Sequence, residues 1–430
     1  MKRSFGFLAP LVTVLGAVLA AGCGDSSAPA TAQGGGAGSS GGSGPTSTAA
    51  LVYGCDWLIE STAENDNFAF PETNAVYWLA ALPDHVGPKD TIEIAGTSAS
   101  ARYFSFAVYD ENGKIESQLD DSDIVGQSAT PAALVPSGQS YTVSVVYSAT
   151  AKAAGTTLVA NPLQNNLRQP RHKFLLYRLY LPTSGADGRG NLPALTYVSS
   201  TGIRTPLAQT PDQASCNTIY NNVAAFYASG GGTKGTGSLI LIGSAVKPPQ
   251  MTIYRSSSGV FENMDVRYMN VKTNTSLGEL FLIRGQAPGF GGGASTPQVR
   301  YWSICSDELR STEVVQCLAD RDATLDADGY YNVIIATTAP SGYGTAFEYL
   351  PWGTQPFGRP IYRQLLADPG FKQSIDNSSS AVDPKTAMGT YYPQTTYCSR
   401  SVFSANLAAG TAAVFKACQS SEGVGSVPDL

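Results

Sequence analysis

The chain has 430 residues, a formal net charge of -6 and only 14% charged residues. That balance creates no overall field to attract nucleic acid, and the length exceeds one typical domain. With 22 tyrosines, 45 glycines and 26 prolines, the composition points to short strands and turns and argues against a helical bundle.

The N-terminus reads MKRSFGFLAPLVTVLGAVLAAGCGDSS. Lys2 and Arg3 precede an apolar run from Phe5 to Ala21. The run is short and Ala/Gly-rich for a membrane span. Residues 1–22 therefore read as an export signal and are set apart from the fold. The end of the run, LAAGC, resembles the lipobox of bacterial lipoproteins, with Ala20 where leucine is usual. That resemblance implies cleavage before Cys23, a diacylglycerol on its sulfur, and a membrane partnership through the anchor. Gly24, in place of aspartate, favours the outer membrane in a host that has one. An ordinary signal peptide with a chance cysteine is the alternative. Residues 23–50 are Gly/Ser/Ala-rich without a large apolar side chain. Such a segment cannot offset its ordering entropy and reads as a flexible tether. Of 7 cysteines, setting Cys23 aside leaves six, an even number in an exported chain, so disulfides are expected.

Beyond the tether, one phrase occurs twice. IEIAGTSASARYFSFAVYD has its echo in LFLIRGQAPGFGGGASTPQVRYWSICSD. Gly96 aligns with Gly285 and Arg102 with Arg300, so the second copy carries nine extra residues, marked by GFGGGAST. Further matches keep the order: FPETNAVYW with FENMDVRYM, SYTVSVV with YYNVIIA (Tyr141 against Tyr330), YRLYLP with FEYLP, and Cys216 with Cys398. The expectation is a mostly β protein of two tandem duplicated β-sandwich or jelly-roll-like units, over 51–230 and 237–418, with a C-terminal tail at 419–430. Chance reuse of strand alternation is the competing explanation. A few short helices are expected near 218–228, 363–366 and 401–407.

Within the repeated phrase, Phe104, Phe106 and Val108 alternate onto one face. Asn112-Gly113 suits a two-residue hairpin turn and sets Phe106 opposite Leu119. Carried to the second copy, that register puts Ile304 opposite Leu318 and Cys305 opposite Cys317, within bridging range. The second copy lacks the Asn-Gly turn, so a Cys305–Cys317 bridge would hold its hairpin. The remaining cysteines pair most simply as Cys55 with Cys216 and Cys398 with Cys418.

The segment VRYWSICSDELRSTEVVQCLADRDATLDADGYYNVIIA, followed by EYLPWG, resembles a family of secreted bacterial proteins of unknown function. Its members carry RYWSxC, LDxDGxY and LPWG phrases, and YRLYLPTSGADGRGNLP is similar to their middle segment. The resemblance carries no activity. This chain departs from it in the lipoprotein-like start and the long tether.

Catalytic signals are sparse. The two histidines, His85 and His172, lie in loop-like LPDHVGP and RQPRHKF, and no nucleophile elbow accompanies them. No His or Cys pair has zinc-ligand spacing. Asp320, Asp322, Asp326 and Asp328 offer oxygens that calcium would accept, but without the spacing or closing glutamate of a calcium loop. The plainer reading is a polar turn at Gly329. No cofactor is otherwise implied. RQPRHK gathers Arg168, Arg171 and Lys173, either a solvated loop or a patch for anionic surface. Trp352 and Phe357 in EYLPWGTQPFGRP are candidates for stacking on a glycan or a protein partner; plugging a sandwich end is the structural alternative. Two function classes stand. One is a lipid-anchored, noncatalytic envelope protein that binds a partner or is structural. The other is a secreted hydrolase using Asp120, Asp121 and Asp123 or the turn at Asp320–Asp328.

Overall fold

A computed structural model describes residues 55–428, apart from 84–85, 88, 112, 127–129, 162–171, 184–191, 208–215, 223–243, 255–260 and 382. The signal and tether regions, His85, Arg168 and Arg171 lie outside the described residues. The first half contains β1 (Cys55–Ser61), β2 (Ala75–Leu82), β3 (Thr91–Thr97), β4 (Tyr103–Tyr109), β5 (Ile115–Asp120), β6 (Ser140–Tyr147), β7 (Thr157–Ala160), β8 (Lys173–Tyr180), β9 (Ala194–Val198) and β10 (Arg204–Pro206). The second contains β11 (Ser244–Lys247), β12 (Thr252–Tyr254), β13 (Val266–Asn270), β14 (Thr273–Asn274), β15 (Leu280–Gln286), β16 (Val299–Asp307), β17 (Val314–Ala319), β18 (Tyr330–Ala336), β19 (Glu348–Pro351), β20 (Phe357–Gly358), β21 (Ile361–Ala367), β22 (Gln394–Cys398) and β23 (Gly425–Pro428).

The chain is mostly β, as composition implied. The first half has sheets of order β1-β2-β8-β4-β5 and β10-β9-β3-β6-β7. The second has β12-β13-β21-β16-β17 and β19-β18-β15-β22. The orders correspond strand for strand, except that β10 has no counterpart. A parallel strand pairing also recurs in each sandwich, β6 with β7 and β18 with β19. Aromatic and branched residues of β4, β6 and β8 fill the first sandwich core; Trp302, Ile304, Tyr331 and Tyr362 fill the second.

The inner strands β4, β8 and β16 are buried along their whole length. Period-two alternation places half of each strand's side chains on the outer face of its sandwich. Those faces meet: Ala75, Tyr103, Tyr180 and Leu181 pack with Val266, Tyr301, Ala319 and Leu365. Four sheets are thus stacked, with a buried seam between the two inner ones. Two buried charged side chains, Arg178 of β8 and Arg363 of β21, lie in that seam.

The hairpin register is as read from the alternation. Phe106 faces Leu119 and Ile304 faces Leu318, with a bulge at the same place in both. The first turn is one residue longer than expected: Asp110 N–H donates to Lys114 O at 2.8 Å and Gly113 adopts φ 76°. That is a three-residue loop closed by a left-handed glycine.

Other expectations are corrected. Residues 363–366 belong to β21 and are not helical. Strand β8 corresponds to β21, so YRLYLP matches IYRQLLADP; FEYLP supplies β19, which corresponds to β7. Tyr141 matches Tyr331 and not Tyr330, since Gly96 opposes Tyr141 and Gly285 opposes Tyr331. The nine added residues at 289–297, expected to project as a loop, instead bend back to pair at Phe290 with Val299, and an added Cβ on Gly291 would lie 2.7 Å from Ala132 O in the first half. The tail is not free: β23 pairs with β11. Helices occupy 216–222 and Arg400–Asn406 and, unforeseen, Asp121–Val125, Ile375–Ser378, Pro384–Met388 and Thr411–Ser421. The last buries Thr411, Val414, Phe415 and Cys418, a helical spacing that was legible.

Gly285 is required by close approach. A Cβ there would lie 2.4 Å from the Tyr331 hydroxyl and 3.3 Å from Tyr392 O. Gly285→Ala should therefore cost ~1–3 kcal/mol through overpacking, checked by urea denaturation.

Candidate functional site

The largest concentration of buried polar chemistry is the seam, and it is built reciprocally. Arg102 Nη1 reaches both oxygens of Asp320 at 2.8 and 2.9 Å, and Arg300 Nη1 reaches both oxygens of Asp121 at the same distances. Each aspartate also faces the opening amide of its own hairpin, Trp302 N–H to Asp320 at 3.1 Å and Phe104 N–H to Asp121 at 3.4 Å.

Two short segments cross the seam in opposite directions. Residues 261–265 seat on the first half and 70–74 on the second. Phe70 and Phe261 share positive φ, 55° and 52°. Phe261 N–H donates to Gly113 O and Phe70 N–H to Thr312 O, at 2.8 and 2.7 Å. Arg178 donates to Phe261 O at 2.7 Å, and Arg363 to Phe70 O at 2.8 Å.

The two ends differ in chemistry. At the first, Tyr109 donates to Glu262 O and Gln118 clasps residues 263–265. At the second, Asp307 stands where Tyr109 would be, and Cys305 and Cys317 where Ala107 and Gln118 would be. Glu72 is fully buried there. It accepts from Ser303 Oγ and lies 3.6 Å from Arg363. Burial pushes the Asp307 carboxyl up to about 7; the Arg363 and Arg359 guanidiniums pull it down and Glu72 pushes it further up.

The disulfides are Cys55–Cys216, Cys305–Cys317 and Cys398–Cys418. They suit an oxidising, exported setting. Cys216 and Cys398 are not equivalent, since one bonds to β1 and the other to the Thr411–Ser421 helix. The cross-strand pair lies in the buried seam. Among the described residues, Glu72, Cys305 and Cys317 form the one cluster with metal-ligand proximity. The two sulfurs are bonded to each other and Arg363 adjoins them, so the donor set does not suit a cation.

The other candidates serve local structure. Asp120 and Asp123 form a capping box on the Asp121–Val125 helix. Asp326 accepts from Arg284 at 2.6 Å, Thr411 at 2.8 Å and Tyr330 N–H at 3.0 Å. These hydrogen bonds overcome burial and hold its carboxyl well below the usual range. Asp328 is exposed, its N–H donating to Asp326 at 3.1 Å. The LDADG stretch is thus a turn with Gly329 at φ 81°. Trp352 is 3% exposed within the second core and is not available for stacking. Phe357 is half-buried with the Arg310 guanidinium 5.1 Å over its ring. Lys173 is buried and paired with Glu116 at 2.6 Å, so it belongs to no surface patch.

Glu72, Asp307, Arg178 and Arg363 were missed from sequence. The available signal was an arginine inside apolar runs, LLYRLY and IYRQLL, because a charge there requires a buried partner.

No protein-family model matches the chain, and no curated protein matches it. Among solved structures, it is similar to an uncharacterized protein from Burkholderia cenocepacia, at 15% identity and TM-score 0.46, covering 79% of this chain and 82% of that one. A Vibrio parahaemolyticus protein is similar at 11% identity and TM-score 0.39, covering 76% and 89%.

Proposed function

We propose that this is an exported envelope protein, held by lipid on Cys23 to the outer membrane, that acts by binding an envelope protein or glycan or as a structural component, without catalysis. The observation that carries the noncatalytic reading is the commitment of the acidic loops. Asp121, Asp320 and Asp326 each accept from an arginine, and Asp120 and Asp123 cap a helix. A hydrolytic carboxylate needs freedom to exchange a proton with substrate. The three disulfides support export. We also infer that the halves are copies of one unit, on the strength of the shared strand order and the reciprocal seam contacts.

Cys23→Ala should release the protein from membranes or block its processing, because the sulfur is the only attachment atom and stable anchoring takes more than one lipid chain. Persistence in the membrane pellet after a high-salt wash would reject the anchor. Purified protein should show no turnover on glycan, ester and peptide substrates. Turnover abolished by Asp120→Asn or Asp123→Asn would establish the hydrolase alternative. Pull-down from detergent-solubilised envelopes identifies the partner.

A further inference from the structure

The two ends of the seam perform one task with different chemistry. Where 261–265 docks, the Gln118 amide accepts from Met264 N–H at 3.1 Å and donates to Asn263 and Asp265 at 2.8 and 2.7 Å. Where 70–74 docks, the matching contact is Thr73 N–H to Cys317 Sγ at 3.5 Å. Cys305 Sγ lies 2.6 Å from Arg363 Nη1 and 3.4 Å from Glu72 Oε2. The sulfur pair is not needed to form such a hairpin. Strands β4 and β5 make the same pairing and bulge with Ala107 opposite Gln118. Cys317 belongs to β17, the edge strand of its sheet, and is 8% exposed, against 0% for Cys305.

We propose that Cys305–Cys317 is a redox-modification site, reduced by a dithiol, and that its reduction loosens the 70–74 segment from the second half. The reductant's thiolate attacks the outer sulfur, Cys317 Sγ. The Cys305–Cys317 bond breaks and Cys305 leaves as a thiolate facing Arg363, whose charge stabilises it. The reductant's second thiol then displaces Cys317 from the mixed disulfide. The dithiol departs as a disulfide; its two electrons remain on the cysteines, one of its protons passes to Cys317 and the other to solvent, leaving Cys305 as the thiolate. The freed Cys305 sulfur faces the Glu72 carboxylate across 3.4 Å. Thiolate and carboxylate then compete for one guanidinium, and the Cys317 sulfur, no longer bonded across the hairpin, loses its fixed position under Thr73 N–H, while the Cys317 N–H bond to Thr73 Oγ1 at 3.0 Å remains.

The first half supplies an internal reference. Hydrogen exchange is measured on the full chain before and after dithiothreitol, with alkylation mapping of the cysteines. Amides of 70–74 should exchange about tenfold faster after reduction, while those of 261–265 stay unchanged. The double variant Cys305→Ala/Cys317→Gln copies the first half and should make 70–74 insensitive to dithiothreitol. The proposal is overturned if native dithiothreitol treatment leaves Cys305–Cys317 intact. It is equally overturned if 70–74 is unaltered once the pair is reduced, if both segments accelerate together, or if the acceleration persists in the double variant.

Discussion

Arg300→Ala should destabilise the protein by ~3–5 kcal/mol, the cost of stranding a buried charge. Arg300 is fully buried. Its guanidinium holds both Asp121 oxygens at 2.8 and 2.9 Å, Pro131 O at 2.9 Å and Ser122 Oγ at 3.2 Å. Burial pushes Asp121 up to about 6 although Arg300 pulls the other way. Without the guanidinium the carboxyl rises further and takes a proton near neutral pH, which bounds the loss. The deficit should shrink as pH falls, because a protonated Asp121 no longer needs its cation. Urea denaturation at neutral and acid pH measures both effects. Arg300→Met/Asp121→Leu should be more stable than Arg300→Ala, since neither charge is left alone. A loss below ~1 kcal/mol at neutral pH, the range of exposed pairs, would mean that the seam does not depend on this pair.

How much of this was legible in the sequence depends on the range of the contact. Residues 103–109 and 299–307 declare strands by alternation, and their partners follow from turn position, so Cys305 opposite Cys317 was accessible. The match of Tyr141 slipped by one because Tyr330 and Tyr331 are adjacent and identical, and only the close approach of Gly285 selects between them. Strand β21 was missed because RQLL has helix-favouring residues and its β partners lie far away in sequence; tertiary pairing overrides such propensity. The seam itself is a contact between surfaces, with no local period to reveal it. The repeat hinted at two units, but the outer faces looked free until they met. Trp352 illustrates the same limit. Pro and Gly around it announce a loop, and its burial in the second core is a tertiary fact.

Asp307 is where the second half departs most sharply from the first, and its titration gives the second large effect. The side chain is 1% exposed, and neither carboxylate oxygen has a hydrogen-bond partner among the described residues. Its counterpart Tyr109 is neutral and hydrogen-bonded. Burial pushes Asp307 up to about 7, from 3.8 for a free aspartate. The folded state therefore retains a proton that the unfolded chain releases between about pH 4 and pH 7. Folding is relatively favoured below about pH 4, where both states are protonated. That advantage is lost progressively as pH rises to about 7, by up to ~4 kcal/mol. Asp307→Asn keeps the shape and removes the ionisation. It should stabilise the protein by ~2–4 kcal/mol at pH 7–8, have little effect near pH 4, and flatten the pH dependence between them. Urea midpoints across that range, at constant ionic strength, provide the measurement. If Asp307→Asn destabilises at neutral pH, then the ionised carboxylate is held by Arg363 and Arg359 more strongly than burial opposes it, and the buried cluster around Glu72 is an ion-pair network that stabilises the seam.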